Sequence, residues 1–380
     1  MLSDLPEIVL KSIVEKCGFR SIFALRKVSH TFRNFIDDIQ PCTGIKYIDI
    51  VVDFNVITVR ISTNSISPEC YHIKYGNIGQ ACSVTTRSFP SNKEIPLALF
   101  GPLPVPGIKK SKERILEGRD FVESLFEDLK AILNLQTSTL QQFNIRLDCL
   151  RENMFETRGL TRSREISRIL PATGTNENIV YRVLNDLELI IRNRKTHLKV
   201  ENFTMNAVNH TQVLQMLSCL DPKNLKSVNV HNARPHKKDG FETREITQLE
   251  QWRHAEQLHM NSFNVSTPIQ SIYHFRKASI SLETICCDDL NKLKETFLGS
   301  SKFERCKVQY NTFQDKEKLI NIFGSAESGQ EWFFWEFSIP DSKEDALFLN
   351  VVLCYPHTIC FTRCSKLDPP QKGCVNCVYV

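Results

Sequence analysis

Residues 5–39 read LPEIVLKSIVEKCGFRSIFALRKVSHTFRNFIDDI, and this stretch decides how the fold begins. Pro6 suits the first turn of a helix, because the amide hydrogen that proline lacks would have no partner there. Apolar residues follow at spacings of three and four, which is typical of helices with one buried side. Gly18 predicts the end of the first helix, and Pro41 predicts the end of the helical segment. The stretch therefore predicts a small helical module.

Two further helices are predicted within the same stretch. Ser21 and Ser29 are suitable N-caps, because a serine hydroxyl can accept a hydrogen bond from the first free amides of a helix. The apolar stripes of the three helices are Val9, Ile13 and Cys17 flanked by Leu10 and Val14, then Ile22, Leu25 and Val28, then Phe32, Phe35 and Ile36. These stripes are wider than the core of so small a module needs. The surplus apolar surface predicts a permanent protein partner.

The same residues resemble the F-box pattern. The resemblance comprises the opening Leu5-Pro6 pair, the apolar stripes of the helices, and Val28-Ser29 followed by Phe32-Arg33. Two positions depart from the pattern without changing its spacing. Cys17 stands where the family usually has leucine, and Phe19 stands where it commonly has proline.

An F-box at residues 1–41 implies that the chain binds a Skp-type adaptor and, through it, a cullin. In this family the Leu-Pro turn and the helix stripes insert into the adaptor. The resemblance assigns adaptor binding to Leu5, Pro6, Val9, Ile13, Leu25 and Val28. A second role stays open for these side chains, because any of them would also suit the core of the module itself.

After the helical module the pattern changes to an alternation of apolar and polar residues. Tyr47–Phe54 and Val56–Ile61 are predicted to be two strands joined by a tight turn, and Cys70–Tyr75 is a third candidate. We expect a small antiparallel β meander over residues 46–87. The next stretch is rich in proline and glycine, so residues 88–118 are predicted to be a linker and a domain boundary.

The C-terminal two thirds of the chain alternate helical and strand patterns. From Leu198 onward, the starts of the predicted strands lie about 20 to 31 residues apart, close to the period of leucine-rich repeats. This period predicts a leucine-rich-repeat-like α/β solenoid with a parallel sheet, although the asparagine ladder of standard repeats is missing. A compact α/β sandwich is the alternative. The whole chain is therefore predicted to be an α+β multidomain protein.

Three segments of this part resemble the FTH domain, which follows the F-box in a large family of nematode proteins. They are Leu220–Lys226, Leu249–Trp252 and Leu290–Phe297. The resemblance assigns residues 119–315 to this domain and residues 316–380 to an extension that completes its repeats. It implies that the domain recognises partner proteins and carries no catalytic residues.

Composition and charge favour an ordinary folded protein. The chain has 380 residues, of which 41% are hydrophobic and 24% charged, and its formal net charge is +5. The basic residues are spread in short clusters, so the sequence does not favour direct nucleic-acid binding. The first residues lack the pattern of a secretory signal, and no stretch approaches the roughly 20 apolar residues of a membrane span. We expect a soluble protein of the cytoplasm or nucleus, without a membrane partner.

Patterns for catalysis, cofactors and metals are sparse. The sequence has no glycine-rich phosphate loop and no dinucleotide fingerprint. His254 and His259 lie five residues apart, so they do not share a helix face as two zinc ligands would. We therefore expect no catalytic residues, no cofactor and no assigned metal site. Four cysteines near the end leave zinc binding open as an alternative to core packing, namely Cys360, Cys364, Cys374 and Cys377.

Together these patterns predict a non-catalytic, substrate-recognition subunit of a cullin-RING ubiquitin ligase. The F-box would bind the adaptor, and the C-terminal domain would bind a target protein whose identity the sequence does not reveal. The alternative is an interaction scaffold, with or without an RNA-binding partner, that uses its F-box without ubiquitylating a target.

Overall fold

The computed structural model describes residues 5–63, 69–90, 109–150, 173–234, 240–340 and 342–373. The helices in these ranges are α1 (Glu7–Glu15), α2 (Phe19–Val28), α3 (His30–Ile39), α4 (Phe121–Leu135), α5 (Thr173–Arg192), α6 (His210–Leu217), α7 (Glu250–His254), α8 (Cys287–Gly299) and α9 (Leu319–Phe323). The strands are β1 (Ile45–Asp53), β2 (Val56–Thr63), β3 (Glu69–Ile78), β4 (Ala81–Pro90), β5 (Lys109–Glu117), β6 (Leu140–Leu147), β7 (Val200–Ala207), β8 (Ser227–Asn232), β9 (Gly240–Glu242), β10 (Gln257–Ser266), β11 (Lys277–Cys286), β12 (Arg305–Gln314), β13 (Glu327–Ser328), β14 (Trp332–Ser338), β15 (Asp345–Val352) and β16 (Thr358–Ser365).

The chain divides into two compact units. The first consists of residues 1–206 and 215–225, and the second of residues 207–214 and 226–380. This division differs from the one predicted from sequence, because the helical module, the first strands and the start of the helix–strand part fall into one unit. Within the described ranges, none of the helices has both the length and the apolar character needed to cross a bilayer.

The described strands of the first unit lie in the order β7-β6-β1-β2-β3-β4-β5. From β1 to β5 the neighbours are antiparallel, whereas β1, β6 and β7 run parallel to one another. Only Phe54 and Asn55 separate β1 from β2, because Asp53 pairs directly with Val56. The structure thus confirms the two strands and the tight turn between them.

Buried and partly buried side chains alternate along β1, which shows that one side of this sheet is covered. Ile48, Ile50 and Val52 are fully buried on one side, while Asp49 on the other side is only partly buried. α4 packs on the strands β2, β3 and β4. Ten of its fifteen residues are buried, so this helix forms the centre of the unit's core.

Asp120 determines where α4 begins. Its carboxylate accepts hydrogen bonds from the amides of Val122 and Glu123, both at 2.9 Å. These amides have no partner inside the helix, so the side chain satisfies two donors that would otherwise be unpaired. The helix that carries most of this core therefore starts at a defined residue.

The predicted linker at residues 88–118 needs a correction. Residues 91–108 lie outside the described ranges, but Lys109–Glu117 form β5, which pairs antiparallel with β4. The four preceding strands are also not a separate meander, since β1 continues in parallel to β6. Sequence reasoning missed β5 because it is an edge strand whose described side chains are almost all exposed. Such a strand shows no apolar alternation, and its lysines are typical of protected sheet edges.

The second unit confirms part of the predicted helix–strand alternation. Its described strands lie in the order β8-β10-β11-β12-β16-β15-β14-β13, with β9 beside β10. The strands β8, β10, β11 and β12 run parallel and begin at residues 227, 257, 277 and 305. The connections between them contain α7, a 3-10 turn at Ile269–Ile272, and α8.

The end of the second unit differs from the predicted all-parallel repeat sheet. β12 pairs antiparallel with β16, and β16, β15, β14 and β13 are antiparallel neighbours in turn. The described strands after residue 316 therefore do not continue the repeat. The connections at 339–344 and 353–357 are too short for the crossover that parallel strands need, so these strands must form hairpins. The fold is a mixed α/β structure that follows a helical module.

Aromatic side chains fill the core of the second unit. Phe297 of α8 stacks on Phe303, with ring centroids 3.8 Å apart, and meets Phe361 of β16 edge-on at 5.4 Å. Trp252 is 1% exposed and donates its indole hydrogen to the carbonyl of Ser271 at 3.0 Å. The parallel and antiparallel parts of this unit thus share one apolar interior.

Candidate functional site

α1 is the most exposed helix of the N-terminal module. Val14 is its one buried residue, at 1% exposure. The stripe of Val9 and Ile13, predicted from the spacing of four, is therefore turned away from the interior, and the neighbouring position faces inward instead. A nine-residue helix held by a single buried side chain has an unusually large uncovered apolar side.

The uncovered side of α1 consists of four apolar residues, which we call the α1 face: Leu5, Ile8, Val9 and Ile13. Their exposures are 37%, 78%, 40% and 37%, respectively. Val9 and Ile13 lie one turn apart on the same flank of the helix, Ile8 lies next to Val9, and Leu5 precedes the first helical residue. Exposed apolar residues at consecutive turns indicate a surface that another protein covers.

The six residues predicted to bind an adaptor have different environments. Leu5, Pro6, Val9 and Ile13 are exposed around α1, and Val28 is 69% exposed at the end of α2. Leu25 is partly buried and packs against the core of the helical module. Leu25 therefore lies where a residue of the module's own core would lie, which is the second role that the sequence left open.

Ile8 was absent from the predicted set, although it is the most exposed residue of the α1 face. It is adjacent to Val9, so on a helix its side chain points about 100° away from that of Val9. The predicted stripe follows a spacing of four residues from Val9 to Ile13, so it leaves out the adjacent Ile8.

The remaining apolar surface of the module is covered by the chain itself. Val14, Ile22 and Ile36, one from each helix, form a buried cluster with Leu135 of α4. Three short helices alone would have too small a core, and α4 enlarges it. The surplus apolar surface expected from the sequence is thus reduced to the α1 face and Val28.

α2 begins two residues before the predicted cap, with Gly18 rather than Ser21 as the residue preceding it. Phe19 is therefore the first residue of the helix and is 4% exposed. Its ring stacks on Phe23 at 5.6 Å and meets Tyr71 of β3 at 5.8 Å. The departure from the family's common proline at Phe19 brings an aromatic side chain onto the sheet.

Ser29 caps α3 as predicted. Its hydroxyl accepts a hydrogen bond from the amide of Phe32 at 3.2 Å. The guanidinium of Arg26 binds Asp37 through two hydrogen bonds of 2.7 and 2.8 Å, which fixes α2 against α3. Two-point pairing of this kind restricts the relative orientation of two helices more than a single contact does.

Asp128 of α4 links the helical module to the sheet. One carboxylate oxygen pairs with the ammonium of Lys27 at 2.7 Å, and the other accepts the hydroxyl hydrogen of Tyr75 at 2.8 Å. Burial and the adjacent carboxylate raise the pKa of Tyr75 well above its usual value, so the phenol remains a donor. The module is therefore anchored on one side, while the α1 face remains uncovered.

The structure tests the zinc alternative only in part. Cys360 is buried in β16 and Cys364 is partly buried, whereas Cys374 and Cys377 lie outside the described residues. Across the ranges that the structure describes, no three histidine, cysteine or acidic side chains are grouped as metal ligands would be. Elsewhere, burial raises the pKa of Cys287 to about 11, so this thiol is protonated at neutral pH.

Comparison with known domains places this geometry in a class. Residues 2–43 match the F-box domain, which covers α1, α2 and α3 together. The chain is therefore an F-box protein, and F-box domains bind Skp-type adaptors and, through them, cullins.

A second match lies in the C-terminal part of the chain. Residues 181–326 match the FTH domain, which extends from α5 to α9. "F-box A protein 224" of Caenorhabditis elegans is 19% identical over 349 residues, covering 91% of this chain and 76% of that protein. No solved structure matches the chain significantly. The chain therefore carries matches to both domains and resembles the nematode F-box proteins that have an FTH domain.

Proposed function

We propose that this chain is the substrate receptor of a cullin-RING ubiquitin ligase. Its F-box binds a Skp-type adaptor, and its C-terminal part holds a target protein. The chain itself contributes no catalytic residue. It increases the rate of ubiquitin transfer by holding a target lysine near the charged conjugating enzyme, which raises the effective concentration of the two reactants. Assembly with the adaptor and a cullin would take place in the cytoplasm or the nucleus.

The observation that carries this proposal is the selective exposure of the α1 face. α4 already covers the inward side chains of the module, yet Leu5, Ile8, Val9 and Ile13 remain in solvent. We propose that these residues, with Pro6 and Val28, contact the adaptor. Leu25 supports them from the module's core.

For the target, we propose the parallel strands of the second unit and the elements beside them. β8, β10, β11 and β12 keep the 20- to 30-residue spacing of repeat-like domains. Repeats of this kind expose side chains that can vary without disturbing the core. We propose a leucine-rich-repeat-like arrangement for this parallel part alone.

Binding to a purified Skp-type adaptor tests the proposal. Val9→Asp combined with Ile13→Asp should weaken adaptor binding by about 100-fold or more, because two apolar contacts worth roughly 1.5 kcal/mol each or more are replaced by buried charges. The pair Leu5→Ala and Pro6→Ala should weaken it as well. Titration calorimetry with the full-length chain would measure both losses.

Ile115→Asp is the matched control. Ile115 is 63% exposed on β5, so the same change from apolar to acidic is made in the same unit but away from the helical module. This variant should bind the adaptor like the unaltered chain. Full adaptor binding by the Val9→Asp, Ile13→Asp variant would refute the proposed contact. If the adaptor binds but no bound protein is turned over faster, the chain acts as a scaffold.

A further inference from the structure

A cavity of about 380 Å³ opens in the second unit, beside the middle of β10, β11 and β12. We call it the β10–β12 pocket. Its lining includes Asn261, Asn264, Ser281, Gln309, Tyr355 and His357. The volume lies at the lower end of the range found for ligand-binding pockets.

An irregularity in β10 shapes this pocket. Met260 pairs with Ile280 and Val265 pairs with Leu282, so five positions along β10 correspond to two along β11. The extra residues form a bulge at Asn261–Asn264, and bulges redirect side chains and occur preferentially beside binding sites. Here the bulge directs two amide side chains toward the cavity, since both line it.

Asn264 has a buried polar atom that the fold does not use. Its side-chain oxygen is shielded from solvent and has no hydrogen-bond partner among the described residues. Such an acceptor destabilises a folded protein by roughly 1 to 3 kcal/mol. Buried polar groups without partners are rare in native proteins, so this oxygen is a candidate acceptor for a ligand's donor.

Further polar groups of the pocket are also available to a ligand. The side chains of Asn261, Ser281 and Gln309 line the cavity, and the hydrogen bonds found in the described ranges do not involve them. Amides present a donor and an acceptor together, as does every peptide group. The arrangement therefore suits the main chain of an extended peptide.

Charge disfavours an anionic ligand. No acidic, lysine or arginine side chain is among the lining residues. The carboxylate of Glu283 accepts a hydrogen bond of 2.8 Å from Asn311 at the pocket's edge. Phosphate recognition relies on arginine or lysine clusters, whereas neither residue lines this pocket and a negative charge is adjacent. A phosphorylated segment is therefore a poor fit, and a segment with uncharged polar side chains is a good one.

The rim of the pocket is the connection between β15 and β16. The Nδ1 atom of His357 hydrogen-bonds the carbonyl of Leu353 at 2.7 Å, and the hydroxyl of Tyr310 donates to the carbonyl of Val352 at 3.1 Å. The rings of Tyr310 and His357 stack at 5.4 Å. These contacts tie the connection to β12.

Tyr355 projects from this fixed rim and is 82% exposed. A large side chain left in solvent on a well-anchored connection has no role in the fold's own core. Tyrosine in such a position is typical of residues that contribute strongly to protein recognition, because it gains contact area at a small entropic cost.

From these observations we propose that the β10–β12 pocket binds an extended, uncharged polar segment of a target protein. A main-chain amide of the segment donates to the side-chain oxygen of Asn264, the amides of Asn261 and Gln309 pair with further peptide groups, and Tyr355 packs over the bound segment. This inference rests on the proposed receptor function, because it supplies the target-binding site of that receptor.

Selection of random peptides displayed on phage, against the immobilised full-length chain, tests the inference. Enriched peptides should be rich in uncharged polar residues. Their dissociation constants, measured by fluorescence anisotropy, should rise about tenfold or more in Asn264→Leu, which removes a ligand acceptor, and in Tyr355→Ala. Ser281→Phe, which fills the floor of the pocket, should abolish binding.

Two controls keep the test decisive. Tyr181→Ala alters a tyrosine of the first unit that is 64% exposed, and it should leave peptide affinity unchanged. Asn264→Leu removes an unpaired buried acceptor, so the free chain should be at least as resistant to urea as before, which a purely structural role would not produce.

Equal affinity of the selected peptides for the unaltered chain and for Tyr355→Ala and Ser281→Phe would overturn the inference, as would a selection without enrichment. The assay contains no adaptor, so failure of adaptor binding would be recognised separately as a failure of the proposed function.

Discussion

At the scale of the residue, Phe19 shows how a departure from a family pattern acquires a structural role. Proline is common at this position in the F-box, and it would suit the start of α2. The phenylalanine found here is buried and contacts Phe23 and Tyr71. It therefore helps to attach the F-box helices to a strand of the same unit.

Phe19→Ala should lower the free energy of unfolding of the first unit by about 3 to 5 kcal/mol, the usual cost of removing a buried phenylalanine ring. Phe19→Leu keeps most of the volume and should cost less than about 1.5 kcal/mol. Urea unfolding followed by circular dichroism would compare the two variants. Equal and small losses in both would mean that the ring contributes little to the attachment.

At the scale of the element, α4 serves as the support on which the F-box helices assemble. Leu135, its last residue, is 1% exposed and belongs to the cluster of Val14, Ile22 and Ile36. Few isolated modules of this size have sufficient cores, so the packing of α4 determines whether the α1 face is presented in an ordered form.

Leu135→Ala should destabilise this packing by roughly 2 to 5 kcal/mol, because the cavity lies between the helices and α4. Hydrogen exchange measured by mass spectrometry should show faster exchange in α1, α2 and α3. Leu189→Ala is the matched control, since Leu189 is 59% exposed on α5 and its removal should change stability by less than about 0.5 kcal/mol. Unchanged exchange in the F-box helices of Leu135→Ala would argue against this supporting role.

Elements with regular patterns were predicted well from sequence, and elements without them were not. β1 and β2 alternate because one side of their sheet is buried. β5 is an edge strand with exposed faces, so its sequence has no such signal. β15 has seven buried residues of eight, and a strand buried on both faces does not reveal from its sequence the direction in which it pairs.

At the scale of the whole molecule, adaptor binding by the six assigned residues stays a prediction, whereas their exposure can be compared with the structure. Five of the six residues assigned to adaptor binding are exposed, because the F-box pattern encodes a surface at fixed spacing. The sequence does not decide whether Leu25 and Ile8 are buried or exposed. Their burial depends on how α1 and α2 are rotated, and this rotation depends on packing against α4, which lies about a hundred residues later. The β10–β12 pocket had no sequence signal, since a bulge and the connection at 353–357 create it.

Hydrogen exchange of the full-length chain, with and without a saturating Skp-type adaptor, tests the central claim most directly. The account predicts slower exchange in α1 and around Val28 when the adaptor is present, and unchanged exchange in β10, β11 and β12. Unchanged exchange throughout residues 5–28 with the adaptor bound would contradict the claim that the uncovered side of α1 is where the adaptor docks.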